Sequence, residues 1–226
     1  MKFAYLIEPP FNFTNVAGNV TGCDVELAKY IYKELGIADF EPVETEFAEL
    51  LSGLADGRWR MTTGLFGTDE RREHALFSRP IWALPDGLLV EKGNPHTLTG
   101  YKSVAENAHI RLAVIRDQFQ HRSALEFGVS EDQIAIFETY TEAAKSVIEG
   151  SVDVHASVAR AHGGFIEHNP DWKLDLVIVP EEEKPPAFGS FAFSLNDKEL
   201  LSEVDDVLAS FLGTDAHRTM VAEFGF

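Results

Sequence analysis

The sequence is poor in cations, nearly free of cysteine and without any long apolar run. Nineteen Lys and Arg face 37 Asp and Glu, leaving a formal net charge of −18 over 226 residues. So acidic a chain repels phosphate backbones and anionic lipid surfaces, which argues against nucleic-acid binding and peripheral membrane attachment. The single cysteine, Cys23, cannot form an internal disulfide. That leaves the compartment open, because a chain of this length buries roughly 70% of its unfolded surface and needs no bridges even in an oxidising space. Apolar runs such as Phe3–Ile7 and Leu174–Val179 are strand-sized, far short of the roughly 18 residues of a bilayer span. Met1-Lys2-Phe3-Ala4-Tyr5 lacks the charged region, apolar stretch and cleavage site of a signal peptide, so the sequence reads as cytosolic or as a mature chain with an added Met.

Catalytic motifs are missing too. There is no Gly-x-Ser-x-Gly elbow, no Walker loop and no His-Glu-x-x-His. Gly64-Leu65-Phe66-Gly67 lacks the third glycine and helix entry of a dinucleotide fingerprint. The eight histidines are scattered; His162 and His168, near Glu167, match no zinc spacing and read as a solvated helix face. Glu181–Glu183 lacks the alternation of a calcium loop. Cys23 has no basic neighbour to lower its pKa and reads as a small buried filler. No catalytic residue, cofactor or metal is expected.

What is present is an ordinary globular mixture, 45% apolar and 25% charged. Short apolar runs alternate with amphipathic stretches, the pattern of an α/β protein. Phe3–Ile7, Met61–Leu65, Ile110–Ile115, Ile134–Glu138, Val152–Ala156, Lys173–Val179 and Phe188–Phe193 read as strands, the last interrupted at Gly189-Ser190. Asp24 caps a helix with Leu27, Ala28, Ile31 and Leu35 on one stripe, and Phe47 opens another with Leu50, Leu51 and Leu54. Helices are also predicted over Gln118–Phe127, Thr139–Glu149, Ser157–Glu167 (weakened by Gly163-Gly164) and Lys198–Leu212. Glu181-Glu182-Glu183-Lys184-Pro185-Pro186 reads as an exposed loop. Two βα blocks in one chain predict two small lobes, and a cleft between lobes is a preferred place for a small ligand.

Binding chemistry gathers in the first block. Glu8-Pro9-Pro10-Phe11 follows the first strand and holds a carboxylate and a ring three residues apart on a proline-stiffened loop. Phe47 and Phe66 lie near predicted strand ends, and Arg71 follows in Gly67-Thr68-Asp69-Glu70-Arg71. The arginine fork matches a carboxylate, and ring faces suit a delocalised cation. From spacing alone, core packing of the three phenylalanines and a surface ion pair for Arg71 are the plainer alternatives.

Pro9-Pro10-Phe11, Gly22-Cys23-Asp24-Val25-Glu26-Leu27-Ala28, Phe47-Ala48-Glu49-Leu50-Leu51-Ser52-Gly53-Leu54, and Thr68-Asp69-Glu70-Arg71 through Leu76-Phe77-Ser78-Arg79-Pro80 occur in this order and spacing. Together with Thr141–Asp153 they resemble the amino-acid-type solute-binding proteins of ABC importers (family 3), over nearly the whole chain. The resemblance implies a type II periplasmic-binding-protein fold: two α/β lobes, residues 1–90 with 188–226 and residues 91–187. They would be joined by crossings near Leu88–Val90 and Phe188–Phe193 and close on a ligand like a hinged trap. It implies further that Arg71 clamps the ligand carboxylate, that Phe11 and Phe47 sandwich its side chain, and that Glu8 meets a distal cation.

Departures narrow the ligand. Phe66 stands where α-amino-acid binders usually carry Ser or Thr. Val158 stands where an aspartate usually pairs with the α-ammonium, and Asp117-Gln118 replaces a Gly-Thr pair. Glu8, Phe11, Phe47, Phe66 and Arg71 instead resemble the first-lobe set of ectoine and hydroxyectoine binders; Gln118, Phe119 and Thr141 are second-lobe candidates by position. A cationic or modified amino acid, opines included, is the alternative ligand class. A cyclohexadienyl-dehydratase-like enzyme using Glu8 as acid, and a sensor domain, are the rival functions. The resemblance also implies a membrane permease as partner, a monomer without nucleic-acid contacts, and a periplasmic location with the signal peptide removed.

Overall fold

The computed structural model describes every residue from Met1 to Phe226. The chain divides into two compact units, Met1–Ala83 with Phe188–Phe226, and Leu84–Ala187. Its first stretch runs through β1 (Lys2–Tyr5), β2 (Phe13–Thr14), β3 (Val20–Thr21), α1 (Cys23–Glu34), β4 (Glu41–Glu44), α2 (Glu49–Ala55), β5 (Met61–Thr62), β6 (Leu65–Phe66), α3 (Asp69–Arg72), β7 (Ala75–Phe77) and β8 (Trp82–Leu84). The middle stretch holds β9 (Asp86–Glu91), α4 (Tyr101–Ala105), β10 (Leu112–Ile115), α5 (Phe119–Glu126), β11 (Ile134–Phe137), α6 (Tyr140–Ile148), β12 (Val154–Val158), α7 (Ala159–His168) and β13 (Leu174–Ile178). The chain then returns through β14 (Ala187–Ser190), β15 (Ala192–Ser194), α8 (Lys198–Phe211) and α9 (Asp215–Ala222).

The first unit is built on a five-stranded sheet of order β4-β1-β5-β15-β7. β1 pairs in parallel with β4 and β5, whereas the returning β15 lies antiparallel to β5 and β7. Of the stripe predicted on α1, Leu27, Ala28 and Ile31 are buried with Phe3, Met61, Phe191 and Phe193, whereas Leu35 lies past the helix end and is only partly buried; Val25 and Tyr32 join the same core, and α8 adds Leu200, Val204 and Leu208. A second cluster joins Ala4 and Leu6 to Leu50, Leu54 and Trp59. The Trp59 indole N–H donates to the Leu50 carbonyl at 2.9 Å, so burying the ring strands no donor.

The second unit carries a sheet of order β11-β10-β12-β9-β13. β10 pairs in parallel with β11 and β12, and β9 runs antiparallel to β12 and β13. Leu88, Leu89 and Val90 are all buried, as the apolar run of an interior strand requires. α6 opens with a reciprocal cap, in which Thr139 accepts from the Glu142 N–H and the Glu142 carboxylate accepts from the Thr139 N–H. A three-stranded ribbon of order β6-β14-β8 and the antiparallel pair β2-β3 complete the pairing.

Four sequence expectations are corrected. Leu88–Val90 is not a crossing; these residues are ladder members of β9, and the chain passes between units at Ala83–Leu84. Asp24 is not a helix cap: Gly22 precedes α1, and the Asp24 carboxylate turns inward. The 181–186 loop is not wholly solvated, since Lys184 is 8% exposed and bonds the buried Asp86 at 2.6 Å. α7 keeps its helix through Gly163-Gly164, and His162 on it is completely buried, not solvated.

Candidate functional site

In the first unit, a loop, a short ribbon and a one-turn helix bring the predicted residues into one chain of contacts. Phe11 is buried, with its ring centroid 5.4 Å from Trp82 and 5.7 Å from Phe226. Trp82 meets Phe66 edge-on at 5.7 Å. Arg71 donates from Nη1 to the Phe66 carbonyl at 2.9 Å, and its guanidinium carbon stands 5.2 Å from the Phe47 ring centroid. Thr68 caps α3 by accepting from the Arg71 N–H at 3.2 Å, which fixes where the arginine side chain begins. Glu8, half-buried, shares the Phe11 turn: its carbonyl accepts from the N–H groups of Phe11 and Asn12, at 3.0 and 3.1 Å. Phe47 sits in the turn before α2, half-buried beside the arginine and outside the helix the sequence predicts it to open.

Asp24 and Trp82, not among the sequence candidates, make contacts with this set. Asp24 is 1% exposed, and its carboxylate accepts from Thr63 Oγ1 (2.7 Å), the Gly64 N–H (2.8 Å) and Trp82 Nε1 (3.1 Å). Burial pushes its pKa up, and these hydrogen bonds pull the other way. Thr63 in turn accepts from Asn12 Nδ2 at 2.7 Å. The Trp82 ring lies flat across Gly189, where a Cβ would fall 2.0 Å from a ring carbon. Only glycine fits beneath it.

The second unit gathers its candidates less tightly. Gln118 is buried at the start of α5, and its Oε1 accepts from Ser157 Oγ at 3.4 Å. Phe119 follows, with Lys184 Nζ 4.9 Å from its ring centroid. Thr141 is half-buried in the first turn of a different helix, α6. Val158 is buried, so an apolar side chain occupies that position in fact as well as in sequence.

Two polar clusters of this unit lie outside those candidates. Asp86 accepts from Gln120 at 2.8 Å and from Tyr101 and Lys184, both at 2.6 Å. Burial, and then the Asp86 charge, hold the Tyr101 hydroxyl well above the usual tyrosine range. In the other, His162 Nε2–H donates to the Gly87 carbonyl at 3.1 Å, leaving Nδ1 to accept from Tyr140. His155, with its ring 5.1 Å from that of His162, is fully buried and has no hydrogen-bond partner for either nitrogen. Nowhere are three or more His, Cys, Asp or Glu side chains gathered as a metal ion would require, and no helix is long and apolar enough to cross a membrane.

The family profile of the bacterial extracellular solute-binding proteins, family 3, matches residues 2–223. The chain belongs to that family. This family 3 solute-binding protein has the two-lobed α/β periplasmic-binding-protein fold that its sequence implied. It is 27% identical over 227 residues to a probable amino-acid ABC transporter periplasmic-binding protein of Sinorhizobium fredii, spanning 97% of this chain and 74% of that one. A probable histidine-binding protein of Neisseria gonorrhoeae is 25% identical over 180 residues, 76% of this chain and 63% of that one. Among solved structures, EhuB in complex with hydroxyectoine matches with a TM-score of 0.91 and 27% identity, over 100% of this chain and 88% of that one. An ancestral arginine-binding protein bound to glutamine, at a TM-score of 0.87 and 20% identity over 99% and 96% of the two chains, shares the fold.

Proposed function

We propose that this family 3 solute-binding protein serves an amino-acid-type ABC importer and captures a small zwitterion with a delocalised cation, of the ectoine and hydroxyectoine class. One observation carries the reading: Phe11, Phe66, Arg71 and Phe47 form one connected set through Trp82, the Phe66 carbonyl and the Phe47 ring face. Arg71 would take the ligand carboxylate through its planar fork. The phenylalanine faces would take the cation, which is weakly hydrated when its charge is spread over several atoms. Glu8 supplies the balancing acid; Gln118, Phe119 and Thr141 are the candidates of the second unit.

The buried Val158 supports this choice against an ordinary α-amino acid. A compact ammonium held beside it would lack its carboxylate, at a cost of about 2–5 kcal/mol. The likeness to EhuB, whose structure holds hydroxyectoine, points the same way. No chemical step is invoked: binding is a population shift toward the form that the membrane permease recognises, by a monomer working in the periplasm.

A cationic or polar amino acid, or an opine, is the second reading. It is favoured by Glu8 on the Phe11 turn and by the histidine-binding relative. A thermal-shift screen against ectoine, hydroxyectoine, arginine, histidine, glutamine and opines, with calorimetry on the hits, decides between the two. Ligands that bind only the folded protein raise its melting temperature. Larger stabilisation by the ectoines than by any amino acid, with glutamine a weak ligand, is the expected result, whereas larger stabilisation by arginine or an opine transfers the site to the second reading. Turnover of prephenate or arogenate would overturn the assignment as a binder.

A further inference from the structure

Asp24 links the segments that carry the aromatic half-site. The Asp24 main-chain N–H donates to the Phe11 carbonyl at 3.1 Å, and one residue earlier the Cys23 N–H donates to the Pro10 carbonyl at 3.0 Å. Its carboxylate takes the Gly64 N–H, two residues before Phe66, and the indole N–H of Trp82, whose ring touches both Phe11 and Phe66. Three ring-bearing segments, distant in sequence, therefore converge on one residue at the start of α1. The approach is close enough to dictate the neighbour: at Gly22, with φ of +128°, a Cβ would lie 2.1 Å from the Phe11 carbonyl oxygen.

We propose that Asp24 and Trp82 are a positioning pair that sets ligand selectivity, Asp24 by locking the indole plane and Trp82 by holding the Phe11 and Phe66 rings at the spacing a planar cation needs. This rests on the aromatic reading of the site given above. The physical reason is preorganisation. A ring that must be reoriented on binding loses affinity for a cation recognised through its face, whereas a carboxylate clamp built on Arg71 does not depend on that orientation. Asp24 spends both oxygens as acceptors, Oδ1 on Trp82 and Cys23 and Oδ2 on Thr63 and Gly64. An amide in its place must turn an N–H toward one pair of donors. With its oxygen kept toward Thr63 and Gly64, that N–H confronts the indole N–H and releases the ring.

The test is a double-mutant cycle on the whole chain with Trp82→Phe, Asp24→Asn and the double variant. Affinities for ectoine, arginine and glutamine are measured by calorimetry, and melting temperature reports folding. In the wild-type background, Asp24→Asn is expected to weaken ectoine about tenfold while changing glutamine by less than about twofold. In the Trp82→Phe background, where no indole N–H remains to oppose the amide, Asp24→Asn should change the ectoine affinity little. Equal loss for every ligand, or the same Asp24→Asn effect in both backgrounds, identifies a merely structural carboxylate and overturns the proposal. If Asp24→Asn does not fold, Trp82→Phe alone must still narrow the ectoine-to-glutamine ratio. Failure of the underlying reading looks different: wild-type protein that binds glutamine or arginine and no ectoine removes the aromatic assignment. The pair is then judged by whether the cycle couples for the ligand that binds, and additivity refutes it. Wild-type protein that binds none of the three refutes both.

Discussion

Acid should loosen the second unit through two histidines that the fold keeps neutral. His162 is fully buried, and desolvation lowers its pKa to about 3, its bond to Gly87 opposing the shift. His155 is lowered well below its ordinary range by burial and then by the neighbouring His162. An unfolded chain protonates both near pH 6.5, while the folded chain does not, so the unfolded state binds more protons throughout the interval between. Stability is complete above about pH 7 and drains as pH falls, at about 1.4 kcal/mol per pH unit for each histidine. From pH 6.5 to 4.5, His162 alone removes about 2–3 kcal/mol, a large part of a typical 5–15 kcal/mol margin, and His155 adds to the loss in the same direction. Carboxylates titrate over the same range, so the measurement is a difference. Urea denaturation of wild type and His155→Leu is followed from pH 7 to 4, and the variant's stability should fall less steeply below the ordinary histidine range, by at most one proton's worth of slope, about 1.4 kcal/mol per pH unit. Leucine also removes two buried nitrogens that have no partner, so the variant should not be less stable at pH 7. Identical slopes would show that His155 takes its proton in the folded state, and would refute the reasoning.

Other changes have equally definite outcomes. Arg71→Ala should cost several kcal/mol in calorimetric affinity for whichever zwitterion binds, since a desolvated carboxylate loses its partner; unchanged affinity would remove Arg71 from the site. Gly53→Ala should destabilise although alanine is the better helix former by about 1 kcal/mol, because its Cβ would lie 2.0 Å from the Trp59 ring; a raised melting temperature would contradict that. Lys184→Met leaves the buried Asp86 charge with only neutral donors, Tyr101 and Gln120, and should cost about 3–5 kcal/mol in urea denaturation. Adding Asp86→Asn should recover part of that loss.

The elements were legible because their periodicity is strong: the α1 stripe and the apolar run of β9 each bury what the pattern says they bury. The crossings were harder to place, because an interior strand and an inter-lobe strand are both short apolar runs. Leu88–Val90 became a ladder member only through partners more than sixty residues away. The first-unit candidates were legible as residue types at loop ends; what joins them was not. Asp24 has the composition of a helix cap, and nothing local announces that Thr63 and Trp82 will converge on its carboxylate. His162 looked solvated because charged and small residues surround it in sequence, and its partner Gly87 belongs to another strand.

β15 has a bearing on the order in which this protein can be completed during synthesis. It occupies an interior place between β5 and β7, so the first unit's sheet lacks an inner strand until residues 192–194 have emerged. Everything made before then leaves β5 and β7 with unpaired facing edges, the kind of surface that recruits other chains. The second unit is one uninterrupted stretch and meets no such delay. Any chain that emerges N-terminus first, from a ribosome or across a membrane, therefore has a second unit that can fold before the first, which must wait for β15.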